Sequence, residues 1–94
     1  MAYELRYSEE IVADLEGLRA HDRAMVIEQV ERLLTTNPVL TSKARVKELR
    51  QPAPAQFRLR VGNFRVFYRV AGNEVYLLRV LTKAACADYL GECS

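Results

Sequence analysis

The sequence predicts an α+β fold in a single domain spanning residues 1–94: an N-terminal strand, a helical hairpin, a three-stranded antiparallel meander and a short C-terminal helix. Three observations carry this prediction. Apolar residues recur at helical spacing between residues 8 and 35, alternate with polar ones at period two between residues 56 and 82, and the second stretch is punctuated by Gly-Asn pairs. At 94 residues, 50% hydrophobic and 28% charged, the chain suits one globular core, and no second domain is expected.

Residues 2–7, AYELRY, alternate in character and carry two tyrosines, as a first strand would. Ser8 follows as a helix cap, because its hydroxyl can accept from the orphan amides of the first turn, and Glu9 and Glu10 complement the positive end of the helix dipole. Ile11, Leu15 and Leu18 form its buried stripe. Residues 19–22 break this helix, and Asp22 is the expected cap of a second one running to about Thr35. Met25, Val26, Val30, Leu33 and Leu34 line its apolar side, and Asn37-Pro38 ends it.

Residues 39–55 show no clear period, so they are expected as a long loop pinned by Val46 and Leu49, with Lys43, Arg45, Lys47 and Arg50 along it. Strands are expected over 56–61, 64–70 and 75–82. Gly62-Asn63 joins the first two, with Gly at the first central position as a type II′ turn requires. Residues 84–90 form the closing helix.

The net charge of +2 conceals a division. Residues 1–40 hold four arginines against eight acids, and residues 41–94 hold ten lysines and arginines against four acids, which points to a polyanion footprint in the second half. The N-terminus lacks a signal-peptide layout and the apolar runs are too short to span a bilayer, so the expected location is the cytoplasm with no membrane partner. Cys86 and Cys93 have no CxxC spacing and no histidine nearby, and His21 stands alone at a predicted turn. No metal, cofactor or Ser/His/Asp machinery is therefore expected.

If Gly62-Asn63 is a two-residue turn, Arg60 faces Arg65 and Arg58 faces Phe67. Period two then puts Arg58, Arg60, Arg65 and Arg69 on one sheet face, with Phe57, Leu59, Val61, Phe64, Val66, Tyr68 and Val70 on the other. Like charges across a sheet oppose folding, so a compensating anion is expected, and guanidiniums grip phosphate as planar forks. Phe67 either offers a ring to a base or lies buried under the C-terminal helix. Arg79, counted through an even-numbered loop, points to the opposite face and outside the site. RNA cleavage is compatible with such a face, because the substrate's 2′-hydroxyl is itself a nucleophile that needs only orientation and charge stabilisation.

The stretch from Gln56 to Val70, QFRLRVGNFRVFYRV, preceded by Lys47-Glu48-Leu49 and set in the order strand, helix, helix, three strands, short helix, resembles the RelE/ParE superfamily of toxins from type II toxin-antitoxin systems over nearly the whole chain. In the RelE-like branch the resemblance implies an endoribonuclease that cuts messenger RNA on the ribosome by 2′-hydroxyl attack. Arg65 matches the arginine that stabilises the scissile phosphate, Lys83 a basic position after the last strand, and Tyr89 a tyrosine that stacks on a base, giving an expected catalytic set of Arg65, Lys83 and Tyr89. Arg58 and Arg60 match two basic positions before the hairpin and, with Arg69, Lys43, Arg45 and Lys47, make up the expected RNA-binding set. Arg58 and Arg60 stand where lysine is often seen, and Lys83 where arginine is common. The hairpin is also shorter than in the best-known RelE-like members.

Two other functions stay open. In the ParE-like branch the same fold inhibits DNA gyrase by binding, without nuclease activity, and Lys83 and Tyr89 have no special role. A basic domain that binds RNA or protein without chemistry is the third. Either toxin reading implies a cognate antitoxin as partner, in a hetero-oligomer that blocks the toxin's site.

Overall fold

The computed structural model describes residues 3–39, 41 and 45–90. In order, the chain forms β1 (Glu4–Tyr7), α1 (Glu9–Glu16), α2 (Ala20–Leu34), β2 (Val46–Glu48), β3 (Phe57–Val61), β4 (Phe64–Ala71), β5 (Glu74–Thr82), a 3-10 turn (Lys83–Ala85) and α3 (Cys86–Leu90). The strands make one sheet in the order β1-β5-β4-β3-β2. Strands β2 to β5 pair antiparallel, and β1 lies parallel to β5 at one edge.

Ser8 caps α1 as its sequence predicts. Its Oγ accepts from the Ile11 amide at 3.1 Å and donates to the Leu78 carbonyl at 2.9 Å, so one hydroxyl both starts the helix and ties it to β5. The start of α2 differs from expectation. Arg19, not Asp22, is the N-cap residue, it makes no side-chain cap bond, and Asp22 falls within the first turn. The interruption between the helices spans residues 17–19, and Arg23 reaches back across it. Its Nε donates to the Leu15 carbonyl near the end of α1 and its Nη2 to the Leu18 carbonyl in the connection, both at 3.0 Å.

The stretch expected as loop contains β2, whose three residues pair with β3 and are too few to show a period. Val46 is buried there and Leu49 half-buried, as expected of residues that pin the segment. Gly62 has φ +56, and no non-glycine among the described residues has positive φ, which agrees with a type II′ turn at Gly62-Asn63. The C-terminal helix is shorter than expected: residues 83–85 wind as a 3-10 turn before α3 begins at Cys86.

One face of the sheet carries the core. Leu59, Val66, Tyr68, Val75 and Leu77 are fully buried against Ile11 and Leu15 of α1 and Val26, Val30 and Leu34 of α2. Truncating one of the central leucines to alanine would cost about 2–5 kcal/mol. Tyr68 stacks on Phe57 at 5.4 Å and donates its hydroxyl to the Pro38 carbonyl at 2.6 Å. Burial pushes its phenol well above the ordinary value, so it stays a donor at any physiological pH.

Candidate functional site

The opposite face of the sheet carries the arginines. Strand register sets Lys47 opposite Arg58, Arg58 opposite Phe67 and Phe67 opposite Arg79, one row across four strands. The next row toward the hairpin turn runs Arg60, Arg65, Leu81. Arg79 belongs to this face, contrary to the parity expectation. Phe67 pairs with Arg79 while Tyr68 pairs with Leu77, so Leu78 is an extra residue, and this bulge inverts the alternation beyond it. The loop is even-numbered as expected, with a turn at Gly72-Asn73; the irregularity lies within the strand.

At the hairpin end the guanidiniums face one another. Arg65 is only 7% exposed, and its Nη1 donates to the Gly62 and Phe64 carbonyls, each at 3.0 Å, so it also braces the turn. Burial, and then the charges of Arg58 and Arg60, depress its pKa, which means that keeping it charged costs the folded state free energy at every physiological pH. Arg58 is half-buried, and its Nε is enclosed with no hydrogen-bond partner. Arg60 is exposed at the rim. Among the described residues the ion pairs join Arg6 to Glu4 and Glu74 and Arg79 to Asp14, and none reaches this cluster.

Farther down the face the arginine is paired. Arg79 holds Asp14 of α1 as a fork, Nε to Oδ2 at 2.7 Å and Nη2 to Oδ1 at 3.1 Å, and Asp14 Oδ2 also accepts from the Val80 amide at 3.0 Å. The Arg79 guanidinium carbon lies 5.7 Å from the ring centroid of Tyr89 on α3, within cation-π range. Tyr89 in turn meets Phe67, centroids 4.9 Å apart and planes inclined by 52°. Phe67 is fully buried, so of the two roles open to it the covered one holds, and it is no platform for a base. Tyr89 is half-buried. Burial raises its phenol, aided by Asp14 and Glu10 against the opposing charge of Arg79, and it remains protonated at neutral pH. Burial likewise raises the Cys86 thiol, although Arg65 and Arg58 pull it down.

The remaining expected site residues scatter around this centre. Lys83 is exposed at the hairpin end, where its backbone amide donates to the Asn63 carbonyl. It therefore shares an end of the sheet with Arg65, whereas Tyr89 lies over the Phe67 row. Lys47 is exposed opposite Arg58, and Arg45 leans toward α2, donating to Gln29 at 3.0 Å. Arg45, Arg60, Met25, Gln29 and Gly62 line a cleft of about 260 Å³ between α2 and the hairpin. Arg69 is exposed opposite Tyr76, four residues from Arg65 and thus roughly 13 Å along the strand, at the far end of the face. Lys43 lies outside the described residues. Among the described residues no group of three or more His, Cys, Asp or Glu is placed to hold a metal ion, and no helix is long and apolar enough to cross a membrane. Sequence reasoning missed Asp14 and Arg79. Their partnership spans 65 positions, and only the conflict of an arginine assigned to the core face signalled it.

The chain's relatives can now be set beside this geometry. A family model described as the ParE toxin of the type II toxin-antitoxin system parDE matches residues 5–85. No curated protein sequence matches the chain. Among solved structures, the RelB-RelE antitoxin-toxin complex of Methanococcus jannaschii matches at 26% identity and TM-score 0.67, covering 88% of this chain and 95% of that one. The RelBE2 toxin-antitoxin complex of Mycobacterium tuberculosis matches at 24% identity and TM-score 0.72, covering 88% and 100%. A chain of the chromosomal ParDE system of Pseudomonas aeruginosa matches at 19% identity and TM-score 0.64, covering 86% and 96%. The last two likenesses speak for the fold alone. With the family model spanning most of its length and its fold shared with RelE-type and ParE-type structures, the chain belongs to the ParE toxin family of type II toxin-antitoxin systems, within the RelE/ParE superfamily.

Proposed function

We propose that this toxin is an endoribonuclease that cuts messenger RNA on the ribosome. One observation carries the reading: Arg58, Arg60 and Arg65 gather on one patch of sheet with no carboxylate among the described residues paired to them, and an enclosed Arg58 nitrogen lacks a hydrogen-bond partner among those residues. A phosphate supplies the missing charge.

In the proposed reaction the substrate's 2′-hydroxyl gives its proton to solvent water as its oxygen attacks the adjacent phosphorus and the bond to the 5′-oxygen breaks, leaving a 2′,3′-cyclic phosphate and a 5′-hydroxyl. Arg60 at the rim and Arg58 behind it hold the phosphate, and Arg65 beneath adds positive charge where the phosphorane becomes more negative. Arg69, Arg45, Lys47 and Lys43 follow the flanking backbone. Lys83 supports the hairpin end, and Tyr89, kept as a phenol, orients the RNA and can donate a proton toward the leaving oxygen. The arginines do not titrate usefully, so the rate gain rests on in-line positioning and charge stabilisation. The expected protein partner is a cognate antitoxin, as in the complexes of the M. jannaschii and M. tuberculosis relatives. The expected place of action is the cytoplasm, where the ribosomes are.

A second reading has its own support. The matching family model is described by its ParE members, and a toxin that inhibits DNA gyrase by binding needs neither Lys83 nor Tyr89. Mapping messenger RNA ends after brief induction separates the two. Translation-dependent cuts that disappear in the Arg58→Gln/Arg60→Gln variant are expected. Intact messages accompanied by DNA damage would replace the nuclease with a gyrase inhibitor.

A further inference from the structure

We infer that Asp14 and Arg79 are positioning residues: the Asp14–Arg79 fork is a strut from α1, through the bulge in β5, that seats Tyr89 and with it α3 over the arginine face. The activity part of this inference rests on the nuclease reading above; the structural part does not.

Helix α3 has little of its own to hold it. It spans five residues, none of them fully buried, and a helix of that length is not stable by itself in water. Its ring contacts to the sheet run through Tyr89, which meets Phe67 on one strand and Arg79 on the next. A guanidinium near an aromatic ring fixes that ring only if the guanidinium is itself fixed, and Asp14 fixes it with two parallel bonds, one to Nε and one to Nη2. Asp14 is anchored in turn, because the same carboxylate accepts the Val80 amide on the open edge of β5, beyond the end of its pairing with β1. Ser8 bonds the carbonyl of the bulged Leu78, so α1 grips β5 on both sides of Arg79. Without that bulge Arg79 would point into the core, so bulge, carboxylate and ring form one device.

Its purpose is visible in what it does not do. Arg79 is neutralised by Asp14 and turned toward Tyr89, so it is poorly placed to grip a phosphate, unlike the cluster at the hairpin end. It places the half-buried ring of Tyr89 over the Phe67 row of this face.

The test uses the full-length toxin with Asp14→Asn, Asp14→Glu and Arg79→Met, followed by amide hydrogen exchange and Tyr89 ring resonances. Cleavage of ribosome-bound messenger RNA is measured in parallel. Exchange at α3 should quicken at least 10-fold in Asp14→Asn and Arg79→Met with β3 and β4 amides unchanged, and the Tyr89 resonances should shift. Cleavage should fall at least 10-fold, and Asp14→Glu should recover part of both effects. Unchanged α3 exchange and Tyr89 resonances in Arg79→Met overturn the strut. If Arg79→Met fails to fold, Asp14→Asn, which can still accept the Val80 amide, gives the same readout. A wild-type toxin that cuts nothing would refute the nuclease reading, while the exchange data alone would still decide the strut.

Discussion

Arg79 and Arg65 occupy one face of one sheet, yet the first is met by a bidentate carboxylate and the second by two further guanidiniums. Where an arginine serves the fold, the chain supplies an acid from 65 positions away to satisfy it. At the hairpin end no such acid is paired among the described residues, a buried Arg58 nitrogen lacks an acceptor among them, and Arg65 borrows two backbone carbonyls from its own turn. Like charges held together without compensation oppose folding. A cluster retained under those terms is explained by an anion that arrives from outside, whereas the Arg79 end is already complete.

The sharpest way to break this contrast is to remove charge from the uncompensated end. Arg65→Ala should lower single-turnover cleavage by about 100- to 1000-fold, the range for removing one preorganised donor of transition-state charge. Since Arg65 also braces the Gly62-Asn63 turn, its thermal unfolding must be recorded alongside; loss of cleavage in a protein that is still folded is the informative result. Next in size is ligand stabilisation. Single-stranded RNA at roughly 100 times its Kd should stabilise the wild type by about 2.7 kcal/mol in thermal unfolding. Arg79→Met should keep that gain, and Arg58→Gln/Arg60→Gln should lose most of it.

The paired end should behave in the reverse sense without any ligand. Arg79→Met leaves Asp14 half-buried with one remaining partner, and urea unfolding should show a loss of about 1–3 kcal/mol. The smallest effect has the opposite sign. Arg60→Gln relieves the pairing with Arg65 across the hairpin and should stabilise the free protein by a few tenths up to about 1 kcal/mol. It should also flatten the salt dependence of RNA binding by roughly 0.7 in log-log slope, the contribution of one neutralised phosphate on a single strand. A destabilising Arg60→Gln would mean that the cluster is compensated after all.

Much of this was legible in the residues. The turn at Gly62-Asn63 fixes the hairpin register, and the register alone puts Arg58, Arg60 and Arg65 on one face opposite Leu59, Val61 and Val66. Ser8 announces the start of α1. The misses have physical causes. Three residues of β2 are too short to display a period, and Arg23 reaches back across the helix junction in a way that no local capping rule contains. The bulge at Leu78 left a trace: strict alternation from Val75 and Leu77 would carry Arg79 into the core, and that conflict should be read as an irregular strand. Burial of Phe67 under α3 and of Arg65 within its own hairpin depends on how a five-residue helix folds back, which neither composition nor spacing encodes.

The central claim, that the uncompensated arginines engage RNA for cleavage, is tested most directly with purified toxin, ribosomes carrying a defined messenger RNA, and a gyrase supercoiling assay run on the same preparation. The account predicts messenger RNA cut by the wild type, little cutting by Arg58→Gln/Arg60→Gln, and supercoiling unaffected. Intact RNA together with blocked supercoiling would contradict it and assign the arginine face to another anionic or protein target.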